Sequence, residues 1–177
     1  MAITFIIDNM KKYWITFSIF ITLAAIVTTY IIVSSCLNGS ASSDQSGVIV
    51  DGAKEVINTI SPNTINESNI KWFSNFIRKL VGHFGLFMVD SIFVSLSIYF
   101  FNRIKKQNIY LPQLYIGLSF GLFLAILTEV IQLMVPQRSG QFTDVLIDFS
   151  GFFVGIGLLL LIYYLIDRQN KKSKKIA

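Results

Sequence analysis

Four long apolar runs dominate the chain, at about 14–35, 80–101, 111–135 and 142–166, and the stretches between them are short or polar. A hydrocarbon layer of roughly 30 Å takes about 20 apolar residues in a helix, so each run is long enough to cross it. The pattern predicts an all-α membrane protein of four transmembrane helices, forming one membrane domain over residues 1–177. Residues 36–75 are rich in Ser, Asn, Gly and Asp and are expected to form an external loop, partly helical near Ala53 to Ile60. Next, Ile70, Trp72, Phe73, Phe76 and Ile77 alternate with Lys71, Arg78 and Lys79 at helical spacing. That mixture suits an interfacial segment lying in the headgroup zone before the second span.

Composition agrees with this class and narrows it. The chain is 53% hydrophobic and only 14% charged, too apolar for an ordinary soluble domain. Its net charge of +5 does not point to nucleic acid, because the basic residues are sorted by membrane side rather than gathered in a groove-sized patch. Ten Lys and Arg flank the spans on the side of the termini (Lys11, Lys12, Arg103, Lys105, Lys106, Arg168, Lys171, Lys172, Lys174 and Lys175) against five on the other (Lys54, Lys71, Arg78, Lys79 and Arg138). Short basic loops stay in the cytoplasm, so both termini are expected inside, in a multi-pass protein of the cell membrane. The Lys-rich tail from Arg168 reads as a stop signal and solvated end, with contact to anionic headgroups as the alternative. Cys36 is the only cysteine, which rules out an internal disulfide. Val33-Ser34-Ser35-Cys36 resembles a lipoprotein cleavage box, but the preceding run exceeds the roughly 7–15 residues of a signal h-region and is expected to remain as a span.

Charge inside these runs is costly and marks a site by default. In the second run Lys79, His83 and Asp90 fall at i, i+4 and i+11, near one face of a helix. Glu129 and Gln132 share a face of the third run, before Pro136-Gln-Arg138, and Asp144, Asp148, Gly151 and Gly155 share a face of the fourth. Apart from Asp90, these stripes lie at the external end and are expected to converge. Gly117, Gly121, Gly151 and Gly155 are the expected close-packing positions, on the same faces as the acids. Arg78, Lys79, Gln132, Arg138 and Asp144 form the expected anion-binding set, while His83 is the natural proton carrier with Glu129 or Asp148 as its orienting base. No metal is expected, since three cations stand nearby and no tight ligand spacing is present. No cofactor motif is visible either, neither a Gly-rich phosphate loop nor a nucleophile elbow. Asp90 pairs with a hydroxyl or backbone group, or stays protonated.

At these residues the chain resembles the VanZ-like family of bacterial membrane proteins. The resemblance rests on Ile77-Arg78-Lys79 leading to His83-Phe84, on Glu129-x2-Gln132, on Pro136-x-Arg138 and on Asp144-Val-Leu-Ile-Asp148-x2-Gly151, about half the chain. Members commonly carry Asn where this chain has Asp148, and often Tyr where it has Phe87. The extra acid points to a protonated carboxyl or to pairing of Asp148 with Arg138 or Lys79. The resemblance implies a polytopic envelope protein and, through the founding member, a link to low-level resistance to teicoplanin-type glycopeptides; it implies no particular reaction.

The resulting reading is an outward-facing polar pocket that recognises or modifies an anionic or lipid-linked envelope component, with a membrane lipid or lipid-linked precursor as partner. A non-catalytic accessory module with a structural ion-pair network is one alternative. A proton or ion pathway through His83, Glu129, Asp148 and Asp90 is another.

Overall fold

The computed structural model describes the backbone of residues 2–108 and 110–176 and the side chains of 10–108 and 110–169. Four of its helical stretches are long and apolar enough to cross a membrane: Met10–Ser35, Ile70–Lys105, Tyr110–Leu133 and Phe142–Gln169. Among the described residues there is no strand. The spans begin and end within a few residues of the apolar runs, except that the second extends back through the interfacial segment. The side chains of the basic tail beyond 169 lie outside the described residues.

The chain runs through helix α1 (Ala2–Ser35), α2 (Gly39–Ile60) and α3 (Ile70–Ile77), then a π-helical segment at Arg78–Gly85 that leads directly into α4 (Leu86–Lys105). A one-turn helix α5 (Tyr110–Pro112) and a second π-helical stretch (Gln113–Gly117) lead into α6 (Leu118–Leu133), and α7 (Phe142–Ile176) completes the bundle. Helix α4 packs between α1 and α7, α7 packs on α6, and α6 closes back towards α1. Phe17 meets Phe101 and Phe20 stacks on Phe100, both across α1 and α4, and Tyr99 stacks on Tyr163 across α4 and α7 at 4.5 Å. Ile31, Phe87, Leu124, Ala125, Phe152 and Ile156 form the core. Large apolar side chains such as Ile19, Ile26, Phe123, Ile126, Leu158 and Leu161 point outward instead, as lipid-facing surfaces do.

Small residues set the closest approaches. Gly151 packs on the backbone of Phe84 and Gly155 on Ser91 and the carbonyl of Met88, so α7 lies directly against the π-helical segment and α4. On the third span, Gly117 at the end of the second π-helical stretch faces Ile156, and Gly121 of α6 faces the Phe152 ring. The glycine stripes thus join α7 to two neighbours at once.

Residues 36–75 depart from the expected loop. Helix starts at Gly39, not near Ala53, because the Asn38 side chain accepts from the amide of Ala41 at 2.9 Å and caps the first turn. Val50 packs with Ile65 and Phe73 in a small second core. Asn58 clamps Ile65 by donating to its carbonyl and accepting from its amide. Tertiary burial therefore overrides the weak helix propensity of a Ser- and Gly-rich segment.

Asp90 is fully buried away from the other acids, and both of its carboxylate oxygens accept from the Thr28 hydroxyl of α1 at 3.1 Å. The partner is a hydroxyl, one of the options open from sequence. Thr28→Val is expected to cost about 1–3 kcal/mol by leaving a buried acid unsatisfied, whereas Thr28→Val with Asp90→Leu should recover most of it. Thermal unfolding of the purified protein in detergent checks this, and equal loss in the single and double variants would contradict it.

Candidate functional site

The polar residues converge where α1 and α6 end and α7 begins. Arg78, Lys79 and His83 come from the π-helical segment, Glu129 and Gln132 from the last turns of α6, Asp144 and Asp148 from the first turns of α7, and Arg138 from the connection between them. Gly82 and Gly85 weaken the commitment of Arg78–Gly85 to the ordinary α-helical ladder. Such i→i+5 widening is frequent at functional sites.

Pairing within the cluster is selective. Lys79 Nζ donates to Asp144 Oδ1, tying the π-helical segment to α7. One turn further, His83 Nδ1 lies 3.0 Å from Asp148 Oδ1, and its Nε2 lies 4.0 Å from Asp144 Oδ2. Asp148 therefore faces His83, not Arg138 or Lys79, since Asp144 already engages Lys79. The second oxygen of Asp148, Oδ2, is buried with no hydrogen-bond partner. Glu129 is held at both oxygens: Oε1 accepts from Gln132 Nε2 at 2.9 Å and Oε2 from the backbone amide of Gln141 at 2.8 Å. The latter bond folds residues 134–141 back over the end of α6, and Gly140 permits it, because a Cβ there would lie 2.5 Å from the Glu129 carbonyl oxygen. Gln141 acts through its main chain and carries no side-chain signal in the sequence. The adjacent Ser139-Gly140 pair, with Pro136 before it, is the turn cue that hints at the fold-back.

The two arginines stand apart from this pairing. Among the described residues neither Arg78 nor Arg138 has a carboxylate oxygen within 4.0 Å. Arg138 Nη1 is buried without a partner. Burial, and then the nearby positive charge of Arg78, lower the pKa of Arg138 from its usual value.

Two adjoining cavities meet at these residues. The larger, about 560 Å³, is bounded by Lys79, Asp144, Ser139 and Gln141 on the loop side. The smaller, about 150 Å³, lies between α1, α2 and the π-helical segment and has apolar walls from Ile31, Ile49, Ile77, Leu86 and Phe87. Arg78, His83, Gln132 and Arg138 border both. His83, Glu129 and Asp148 each offer a donor atom, all within 4.8 Å of one another, so these three could hold a metal ion. The arrangement combines two arginines without a carboxylate partner among the described residues, a His–carboxylate pair and an apolar recess.

No curated protein and no solved structure shows a significant match to the chain. The family model described as VanZ/LLP1 matches residues 20–163, from the first span to the last. That stretch holds every residue of the cluster, and the chain belongs to the VanZ/LLP1 family of membrane proteins.

Proposed function

We propose that the cluster is an outward-facing pocket for an anionic headgroup, and that its ligand is a phosphate-bearing membrane lipid or lipid-linked envelope precursor. The carrying observation is the pair Arg78 and Arg138, which border both cavities with no carboxylate partner among the described residues. Two guanidiniums set close together in a partly desolvated site call for an anion, and Arg138 with its free Nη1 suits a bidentate grip on phosphate. The apolar recess beside them supports a ligand with a hydrocarbon portion. The excess of Lys and Arg beside the termini, ten against five, favours placing this end of the bundle outside the cell. A contribution to teicoplanin-type glycopeptide resistance fits a pocket of this kind.

His83 with Asp148 has the form of a proton carrier and its orienting carboxylate, and with Glu129 it would move the proton in any modification of the bound headgroup. A structural role is favoured for Lys79 and Asp144 alone, since their ion pair ties α7 to the π-helical segment.

Binding of phosphatidic acid and of diacylglycerol to protein in nanodiscs tests the reading. The phosphate form should bind and the uncharged form should not. Arg138→Ala should weaken phosphatidic acid binding at least about tenfold, equivalent to about 1.4 kcal/mol. Arg138→Lys should fall between, keeping the charge but losing the fork. Equal affinity for the two lipids would sink the proposal.

A further inference from the structure

We infer that His83, Glu129 and Asp148 form a binding site for a divalent transition-metal ion, with Zn²⁺ the best match to its donors. The inference goes beyond the anion pocket and does not depend on it; with the ion bound, two metal bonds replace the His83–Asp148 hydrogen bond, and His83 is a ligand instead of a proton carrier.

The residues come from three separate elements, the π-helical segment, α6 and α7, yet their donor atoms lie within 4.8 Å of one another. Zn–N and Zn–O bonds of about 2.0–2.2 Å put neighbouring ligand atoms about 3.0–3.5 Å apart. The His83 Nδ1 to Asp148 Oδ1 separation of 3.0 Å is already at that bite. Closing the remaining separations, up to 4.8 Å, takes about one to two ångströms at most, a movement the Glu129 side-chain torsions can supply.

A second observation points to a ligand. Asp148 is fully buried, its Oδ2 has no hydrogen-bond partner among the described residues, and it borders the smaller cavity. A buried carboxylate oxygen left unsatisfied is costly, and a cation is the partner that best offsets this.

The surroundings resemble a metal site's outer shell. Glu129 is oriented by the Gln132 side chain and the Gln141 amide, which leaves further lone pairs on both oxygens. If His83 binds through Nδ1, its Nε2 faces Asp144 Oδ2 at 4.0 Å, and an approach of about an ångström would complete the carboxylate–histidine–metal order that orients a ligating imidazole. Of the three cations that argued against a metal in the sequence, geometry answers one, while Arg78 and Arg138 face the adjoining anion pocket. Asp144 neutralises Lys79, and two carboxylates balance the charge of the ion. Three protein ligands leave a position open, as in catalytic rather than structural zinc sites, and His83 also borders the larger cavity where Arg78 and Arg138 stand. An oxygen of a bound phosphate is the natural fourth ligand.

Protein purified in detergent, freed of its affinity tag and stripped with EDTA, should take up one equivalent of Zn²⁺ per chain by calorimetry and elemental analysis. Co²⁺ should bind at the same site with visible d–d bands, and Zn²⁺ should raise the thermal midpoint. His83→Ala, Glu129→Gln and Asp148→Asn should each weaken Zn²⁺ binding at least about tenfold, with Asp90→Asn unchanged as control. Failure of the wild-type protein to bind Zn²⁺ or Co²⁺, which needs no variant to fold, would overturn the inference. So would binding that none of the three substitutions alters, the mark of an adventitious ion. Phosphatidic acid binding that persists in EDTA with no metal uptake would refute the metal site while sparing the anion pocket; metal uptake without lipid binding would do the reverse.

Discussion

Replacing Glu129 with alanine is expected to be among the most damaging single changes at the site. Its carboxylate satisfies the buried Gln132 amide and the Gln141 backbone amide, so alanine strands two donors at once. The buried Gln132 amide left unsatisfied costs about 1–3 kcal/mol, the amide of exposed Gln141 less, and the connection at 134–141 loses its tie to α6. Arg138 sits in that connection, so the anion pocket should fail together with stability. Glu129→Gln retains shape and one acceptor and should keep the Gln141 bond, at roughly half the cost of alanine. Thermal unfolding in detergent, paired with limited proteolysis at 134–141, separates the two variants. An alanine variant with an unchanged midpoint and a protected loop would show that the fold-back does not depend on Glu129.

Gly151→Ala is the second large effect. A Cβ there would lie 2.2 Å from the Phe84 carbonyl oxygen and 3.0 Å from two more of its backbone atoms, which cannot rotate away as a side chain could. Relief requires α7 to move off the π-helical segment. Phe84 follows His83 directly, so the 3.0 Å His83–Asp148 contact should open as the helices separate. Overpacking of this kind costs about 1–3 kcal/mol. Gly157→Ala provides the opposite case on the same helix: nothing lies within 4 Å of its Cβ position, and alanine gains helix propensity of about 1 kcal/mol. Comparing the two midpoints in one detergent checks the sign. Equal shifts for both would mean that the close approach at Gly151 is easily absorbed.

The family match to residues 20–163 adds to these expectations without supplying a reaction. The chemistry proposed for it rests on two observations, two arginines without a carboxylate partner among the described residues and a three-residue donor cluster.

The apolar runs alone carried the four spans, because about 20 consecutive apolar residues have few alternatives to a membrane helix. The candidate residues were legible for a related reason: Glu129, Asp144 and Asp148 are conspicuous in segments where charge is costly. The glycine stripes were visible too, though not their partners, since small-x3-small spacing marks a contact face without naming what meets it. The helical start of α2 at Gly39 was hidden, because it depends on an Asn38 cap and on burial of Val50 against Ile65 and Phe73, distant in sequence.

The pairings were hidden as well. Reading Lys79 and His83 at ordinary helical spacing left Asp148 free to join Arg138 or Lys79. Only the packed chain shows Lys79 on Asp144, His83 on Asp148 and, among the described residues, both arginines without a carboxylate within 4.0 Å. Hydrophobic periodicity reports which residues leave water, so sequence by itself determined the class, the spans and the set of polar groups that converge. Which of those groups touch depends on an i→i+5 segment, a glycine-permitted fold-back and backbone approaches of a few ångströms, and these distances exist only once α4, α6 and α7 have packed.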